Sequence, residues 1–151
     1  MAKQKNPKRK RTGRQKQLRA EKLFKKKSEI EADRLWHLAG IKKWGNICFF
    51  HNSGKEAQQH QKFIKFGHHI KPKGAYPHLR YEIDNFLNVC WPCHFKLGRK
   101  DLSMSNDVVA KRGLTWYNRL EKKAKNKPIG TFQTSAYYQK VIANLNQYLN
   151  A

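Results

Sequence analysis

Apolar residues are unevenly spaced along this chain, and three stretches carry a helical repeat. Ser28-Glu29-Ile30-Glu31 has the form of a capping box, in which the Ser hydroxyl and the Glu carboxylate satisfy opposing backbone amides. It predicts a helix from Ser28 to about Ala39, ended by Gly40, with Ile30, Leu35, Trp36 and Leu38 sharing one broad face and Trp36 in the core. Ser105 is a candidate cap for a helix over Asn106 to Arg112, and Thr115 for one over Trp116 to Lys125, with Gly113 as the break. Lys127-Pro128-Ile129-Gly130 reads as a linker. Beyond it, Tyr138, Val141, Ile142, Leu145 and Leu149 line one side of a helix from Ser135 to Leu149. From about Trp44 to Gly98 the pattern changes to short strands and loops rich in His, Cys, Gly, Pro and aromatic residues, where Tyr76, Pro77, Leu79 and Tyr81 are read as a small core. The expected class is therefore α+β, a small central unit with helices before and after it.

Charge changes the picture at the N-terminus and for the whole chain. Residues 1–27 contain 13 Lys or Arg against one acid, Glu21, with Leu18, Leu23 and Phe24 as the large apolar side chains. Such a segment is expected to be disordered when free, with partial helix from Arg14 onward on a polyanion. Lys8, Arg9, Lys10 and Arg11 are its densest run and the candidate phosphate contacts, gaining affinity by counterion release. Over all 151 residues, 33 basic against 10 acidic side chains leave a net charge of +23 and a pI near 10.2. Self-repulsion of that size opposes compaction unless a polyanion neutralises it, so nucleic acid is the expected partner. No apolar stretch approaches the roughly 20 residues of a membrane span, and no apolar signal-peptide core follows the basic start. Three Cys cannot all pair as disulfides, which points to a reducing, intracellular setting where Cys binds metal.

Two short spacings carry the candidate metal chemistry: Cys48-Phe49-Phe50-His51, and Cys90-Trp91-Pro92-Cys93 further along. Together they offer four soft or borderline ligands, enough for a tetrahedral structural zinc, and a two-residue spacing lets one tight knuckle aim both donors at the same ion. His60 is the alternative to His51 as fourth ligand. Between the knuckles stand Gly67-His68-His69-Ile70 and Asp84-Asn85-Phe86-Leu87-Asn88-Val89, and His94 directly follows the second.

Here the sequence resembles the His-Asn-His (HNH) endonucleases, whose first His lies on a strand, whose Asn lies in the returning segment, and whose last His starts a helix after the second zinc knuckle. His69, Asn85 and His94 occupy the matching places. From Gly67 to Cys93 the chain is similar more narrowly to the phage NinG, or Rap, recombination endonucleases, with weaker similarity from about residue 45 to 149. It departs from them in His51, which stands where a Cys is usual, and in His68, where that family can carry Gly and broader HNH nucleases place a metal-binding Asp or His. The resemblance implies a ββα-metal core over residues 45–102, after a basic arm (1–27) and a helix (28–44), and before a helical region (103–151). It implies cleavage of branched recombination intermediates such as Holliday junctions and D-loops, in the host cytoplasm if the chain is phage-encoded. His69 would accept the water proton, and His68 and His94 would hold a divalent ion, magnesium or manganese by default. Asn85 would tether the loop that orients His69, and Lys71 and Arg80 would grip phosphates. Symmetric incision of a junction would suit a homodimer. The rival readings are an HNH nuclease of another role, such as homing, packaging or duplex degradation, and a non-catalytic zinc-ribbon nucleic-acid-binding protein.

Overall fold

The computed structural model describes residues 12–51, 66–99 and 102–151. Its elements are a long helix α1 (Gly13–Trp44), a strand β1 (Phe66–His69), two 3-10 turns (Pro77–Leu79 and Ile83–Asn85), a strand β2 (Phe86–Val89), and helices α2 (Trp91–Gly98), α3 (Leu102–Arg112), α4 (Leu114–Lys125) and α5 (Ser135–Asn150). The class is α+β, mostly helical, with one two-stranded antiparallel sheet.

Helix α1 starts earlier than Ser28. A different capping box opens it: Thr12 Oγ1 accepts from the Gln15 amide, and the Gln15 side chain accepts from the Thr12 amide. The Lys, Arg, Gln, Leu, Ala and Glu that follow are strong helix formers with no Pro among them, so nothing stops the helix before residue 28. Residues 12–27 are thus described as a cap and exposed helix rather than a disordered arm, while residues 1–11, including Lys8, Arg9, Lys10 and Arg11, lie outside the described residues. Ser28 is buried in mid-helix, its Oγ accepting from Gln139 Nε2 at 3.0 Å.

The buried stripe of α1 is Ser28, Ala32, Leu35, Trp36, Ala39 and Gly40, mostly small residues, whereas Ile30 and Leu38 face solvent. Gly40 does not end the helix. It is a notch, because a Cβ there or at Gly67 of β1 would overlap the fully buried ring of Phe86, which sits between them. The actual terminator is Gly45, whose positive φ of 85° suits glycine and whose amide donates to the Ile41 carbonyl.

Strand β2 is buried on both faces. Phe86 joins Ala32, Leu35, Trp36, Ala39, Tyr81, Tyr138 and Leu145 in a core between α1 and α5. Leu87 and Val89, on the other face by the period-two alternation of a strand, pack with Cys48, Leu79, Cys90, Cys93, Val108, Trp116 and Leu120. The predicted stripe of the last helix therefore holds, with Tyr138 and Leu145 fully packed and Val141, Ile142 and Leu149 beside them. Leu79 and Tyr81 are core residues, as expected. Helix α3 begins at Leu102, so Ser105 is inside it rather than its cap. Gly113, with φ of 89°, is the N-cap of α4 in place of Thr115.

Three tryptophans converge on the second 3-10 turn. The indole N–H groups of Trp36, Trp44 and Trp116 donate to the consecutive carbonyls of Glu82, Ile83 and Asp84, at 3.0, 3.1 and 3.3 Å. The side chains there are held too, Asp84 by Lys43 at 2.6 Å and Glu82 by Lys123 at 2.9 Å. Helices α1 and α4 thus fix the segment that delivers Asn85.

Candidate metal centre and histidine groove

The four spacing-predicted ligands come together. Cys48, His51, Cys90 and Cys93 place one donor atom each within 4.8 Å of one another. His51 Nδ1 lies 3.5, 3.8 and 3.5 Å from the sulfurs of Cys48, Cys90 and Cys93, the edge lengths expected when donors about 2.0–2.3 Å from one ion surround it tetrahedrally. The three sulfurs are buried, and burial, with the neighbouring thiols adding, pushes the Cys93 thiol well above its usual range. A bound cation would stabilise the thiolates that burial disfavours, so this cluster could hold a metal ion such as zinc. His60 lies outside the described residues.

Local backbone builds the cluster from two sides. The amide of Phe49 donates to Asn88 O at 2.8 Å, and the buried Asn88 side chain donates back to the carbonyls of Gly45 and Ile47, tying the first knuckle to β2. Cys90 is the N-cap of α2 and Pro92 stands in its first turn, where a missing N–H costs nothing. Cys93 and His94 follow on the first turns of that helix.

The strand register then determines where the histidines go. His69 pairs with Phe86 and His68 with Leu87, so the two imidazoles leave β1 on opposite faces. His69 stacks on Trp36, rings 4.2 Å apart and 12° from parallel, and its Nε2 donates to the Arg80 carbonyl at 2.9 Å. A carbonyl can only accept, so Nε2 carries the proton and Nδ1 keeps the lone pair. Burial lowers the pKa of His69 to about 4, against the carbonyl bond, with Lys73, Arg80 and His94 lowering it further. His68 meets His94 ring to ring at 5.1 Å, and burial together with the neighbouring imidazoles lowers its pKa to about 4. Burial lowers His94 as well. All three are neutral near pH 7 and line one groove of about 1130 Å³ between α1, β1, α2 and α3.

Asn85 is fully buried and uses its whole amide. Its Nδ2 donates to the carbonyls of Lys71 and Leu79 at 3.1 and 3.0 Å, and its Oδ1 accepts from the Lys71 amide at 2.6 Å. The loop after His69 is thereby clamped at both ends.

Arg80 is a correction. Its guanidinium turns inward, 8% exposed, to Glu29 at 2.7 Å and Asp33 at 2.9 Å, because α1 presents two carboxylates one turn apart. It is unsuited to gripping phosphates and instead anchors the loop whose carbonyl orients His69. Lys71 is likewise engaged, pairing with Glu121. Lys73 is an exposed cation lining the groove beside the histidines, with no local signal in the sequence to set it apart from the other lysines. Trp36 and His37 were also missed as groove residues, since nothing in local spacing links α1 to His69.

Among the described residues no helix is long and apolar enough to cross a membrane. The chain matches no protein-family model, no curated protein and no solved structure.

Proposed function

We propose that this protein is a metal-dependent DNA endonuclease of the His-Asn-His type, with a structural zinc at Cys48, His51, Cys90 and Cys93 and its reactive centre at His68, His69 and His94. The observation that carries the reading is the placement of His69: its Nε2 is committed to the Arg80 carbonyl and its Nδ1 is left as a base, in a groove shared with the paired imidazoles of His68 and His94. A zinc knuckle needs none of these. The order β1, β2, α2, with the knuckle between strand and helix, suits the ββα-metal core.

Hydrolysis of a phosphodiester needs an activated water, charge stabilisation at the phosphate and help for the leaving oxygen. His69 Nδ1 accepts the water proton, while the Arg80 carbonyl and the Trp36 ring hold the imidazole at its angle. Asn85 keeps the intervening loop closed. His68 and His94 would hold magnesium or manganese, which when bound supplies electrophilic stabilisation of the phosphate and leaving oxygens. Among the described residues no third His, Cys, Asp or Glu completes a set with that pair, so water and phosphate would fill the remaining positions. The basic half of α1 and Lys73 supply sequence-independent attraction to the backbone. The preference for branched recombination intermediates rests on the resemblance of residues 67–93 alone.

The test is cleavage of matched four-way junction, flap, linear duplex and single-stranded DNA with magnesium or manganese. Branched substrates should be cut in preference. His69→Ala should reduce cleavage by about a hundredfold or more while zinc content and DNA affinity stay near wild type. A fully active His69→Ala protein would sink the mechanism, and equal rates on branched and linear DNA would move the assignment to a general duplex nuclease.

A further inference from the structure

The outer face of α2 carries an arrangement that hydrolysis does not use. Trp91, Phe95 and Arg99 stand four residues apart, so successive turns place their side chains one above another. Trp91 is 56% and Phe95 50% exposed, although both are large apolar side chains. The Arg99 guanidinium lies over the Phe95 ring at 4.2 Å, and the Trp91 indole runs parallel to the His94 imidazole, 5° apart in plane and 5.9 Å between centroids. Trp91 and His94 both line the groove.

This face combines three flat π-surfaces or cations with no acidic residue anywhere from Trp91 to Arg99, and Lys96 adds another exposed positive charge. An apolar protein partner would have no use for the flanking cations. A polyanion that also presents aromatic planes fits both features, and the +23 charge of the chain favours the same occupant. Fully paired duplex keeps its base planes stacked inside, so the planes must come from unpaired nucleotides.

We propose that Trp91 and Phe95 form a stacking platform for unpaired nucleobases of DNA, with Arg99 and Lys96 holding the adjoining phosphates, directly beside His94. Stacking on such a platform tolerates any base, because every base has a π-face. The inference deepens the nuclease reading and rests on it: an unpaired nucleotide seated on α2 brings the neighbouring phosphate to the histidine groove, which gives a physical basis for choosing branched over linear DNA.

The experiment uses the full chain, wild type and Trp91→Ala, Phe95→Ala, the double variant and Trp91→Phe. Each is titrated against 2-aminopurine-labelled flap DNA, single-stranded DNA and fully paired duplex, with zinc content and melting temperature measured on the same preparations. The double variant should lose about tenfold to a hundredfold in affinity for the flap and the single strand, and with it the 2-aminopurine quenching. Its duplex affinity, zinc content and melting temperature should stay unchanged, and Trp91→Phe should retain most of the binding. Unchanged flap affinity in the double variant, or an equal loss on duplex, overturns the platform. So would concentration-dependent self-association of the wild type that the double variant abolishes without altering DNA binding. If Trp91-dependent binding of unpaired DNA is found in a protein that cleaves nothing, the nuclease reading fails and the platform stands. If branched DNA is cut normally by the double variant, the reverse holds.

Discussion

At the scale of single residues, the reactive candidates are governed by what holds them. His69 has its tautomer set by one carbonyl, that of Arg80, and that carbonyl is held in turn by the ion pairs of Arg80 with Glu29 and Asp33 and by the clamp of Asn85 on Leu79 and Lys71. Asn85→Ala would leave the Lys71 carbonyl and the Lys71 amide without their partner at a fully buried position, while the Leu79 carbonyl keeps the Glu82 amide. Each unmet buried group costs about 1–3 kcal/mol, less whatever water recovers, so a loss of roughly 2–4 kcal/mol in urea unfolding is expected. Asn85→Asp keeps the acceptor toward the Lys71 amide but turns a carboxylate toward two carbonyls, so it should be no better than Ala. An Asn85→Ala protein with unchanged stability would mean that the loop is held by other contacts.

Elements show a competition between local preference and packing. Gly40 in mid-helix should by propensity be improved by Ala, by about 1 kcal/mol. The ring of Phe86 has no room to yield, because Gly67 closes on it from the strand side, and overpacking costs about 1–3 kcal/mol. Packing should win, and Gly40→Ala should lower the melting temperature. Gly13→Ala, at the exposed start of the same helix with nothing within 4 Å, should be neutral or slightly stabilising. The pair separates the two effects on one helix, and a stabilised Gly40→Ala protein would show that the Phe86 ring can move.

For the whole molecule, one short strand connects both cores. Phe86 packs toward α1 and α5, while Leu87 and Val89 pack toward the cysteine cluster and toward α3 and α4. Metal binding energy at a closed thiolate site is folding energy. If a metal ion such as zinc is held by the cluster, chelation or Cys90→Ser should therefore release it and melt both cores in a single transition, followed together by circular dichroism and tryptophan fluorescence. Two separated transitions, with α1 and α5 surviving the loss of metal, would show that β2 does not couple the two halves.

The metal set was legible because it is local: two donors three residues apart on one knuckle reach the same ion whatever the rest of the chain does, and only the closing of two knuckles on each other awaited the fold. The last helix was legible for the same kind of reason, since a stripe of large apolar residues at helical spacing needs no partner to be recognised. His69 and Asn85 could be named as candidates only through the resemblance to the His-Asn-His motif, and the carbonyls that orient them could not be named at all. What only the tertiary structure decided concerns contacts between distant residues. The buried face of α1 is made of small residues that score weakly in any apolar pattern, and its true cap at Thr12 was obscured by a charge run that counts against helix only when nothing covers it. Arg80 looked like a phosphate contact until two carboxylates of α1, about 50 residues earlier, turned it inward. Three indoles meeting three consecutive carbonyls have no sequence signature, because hydrogen bonds between far-separated residues are a property of how helices pack and not of any segment alone.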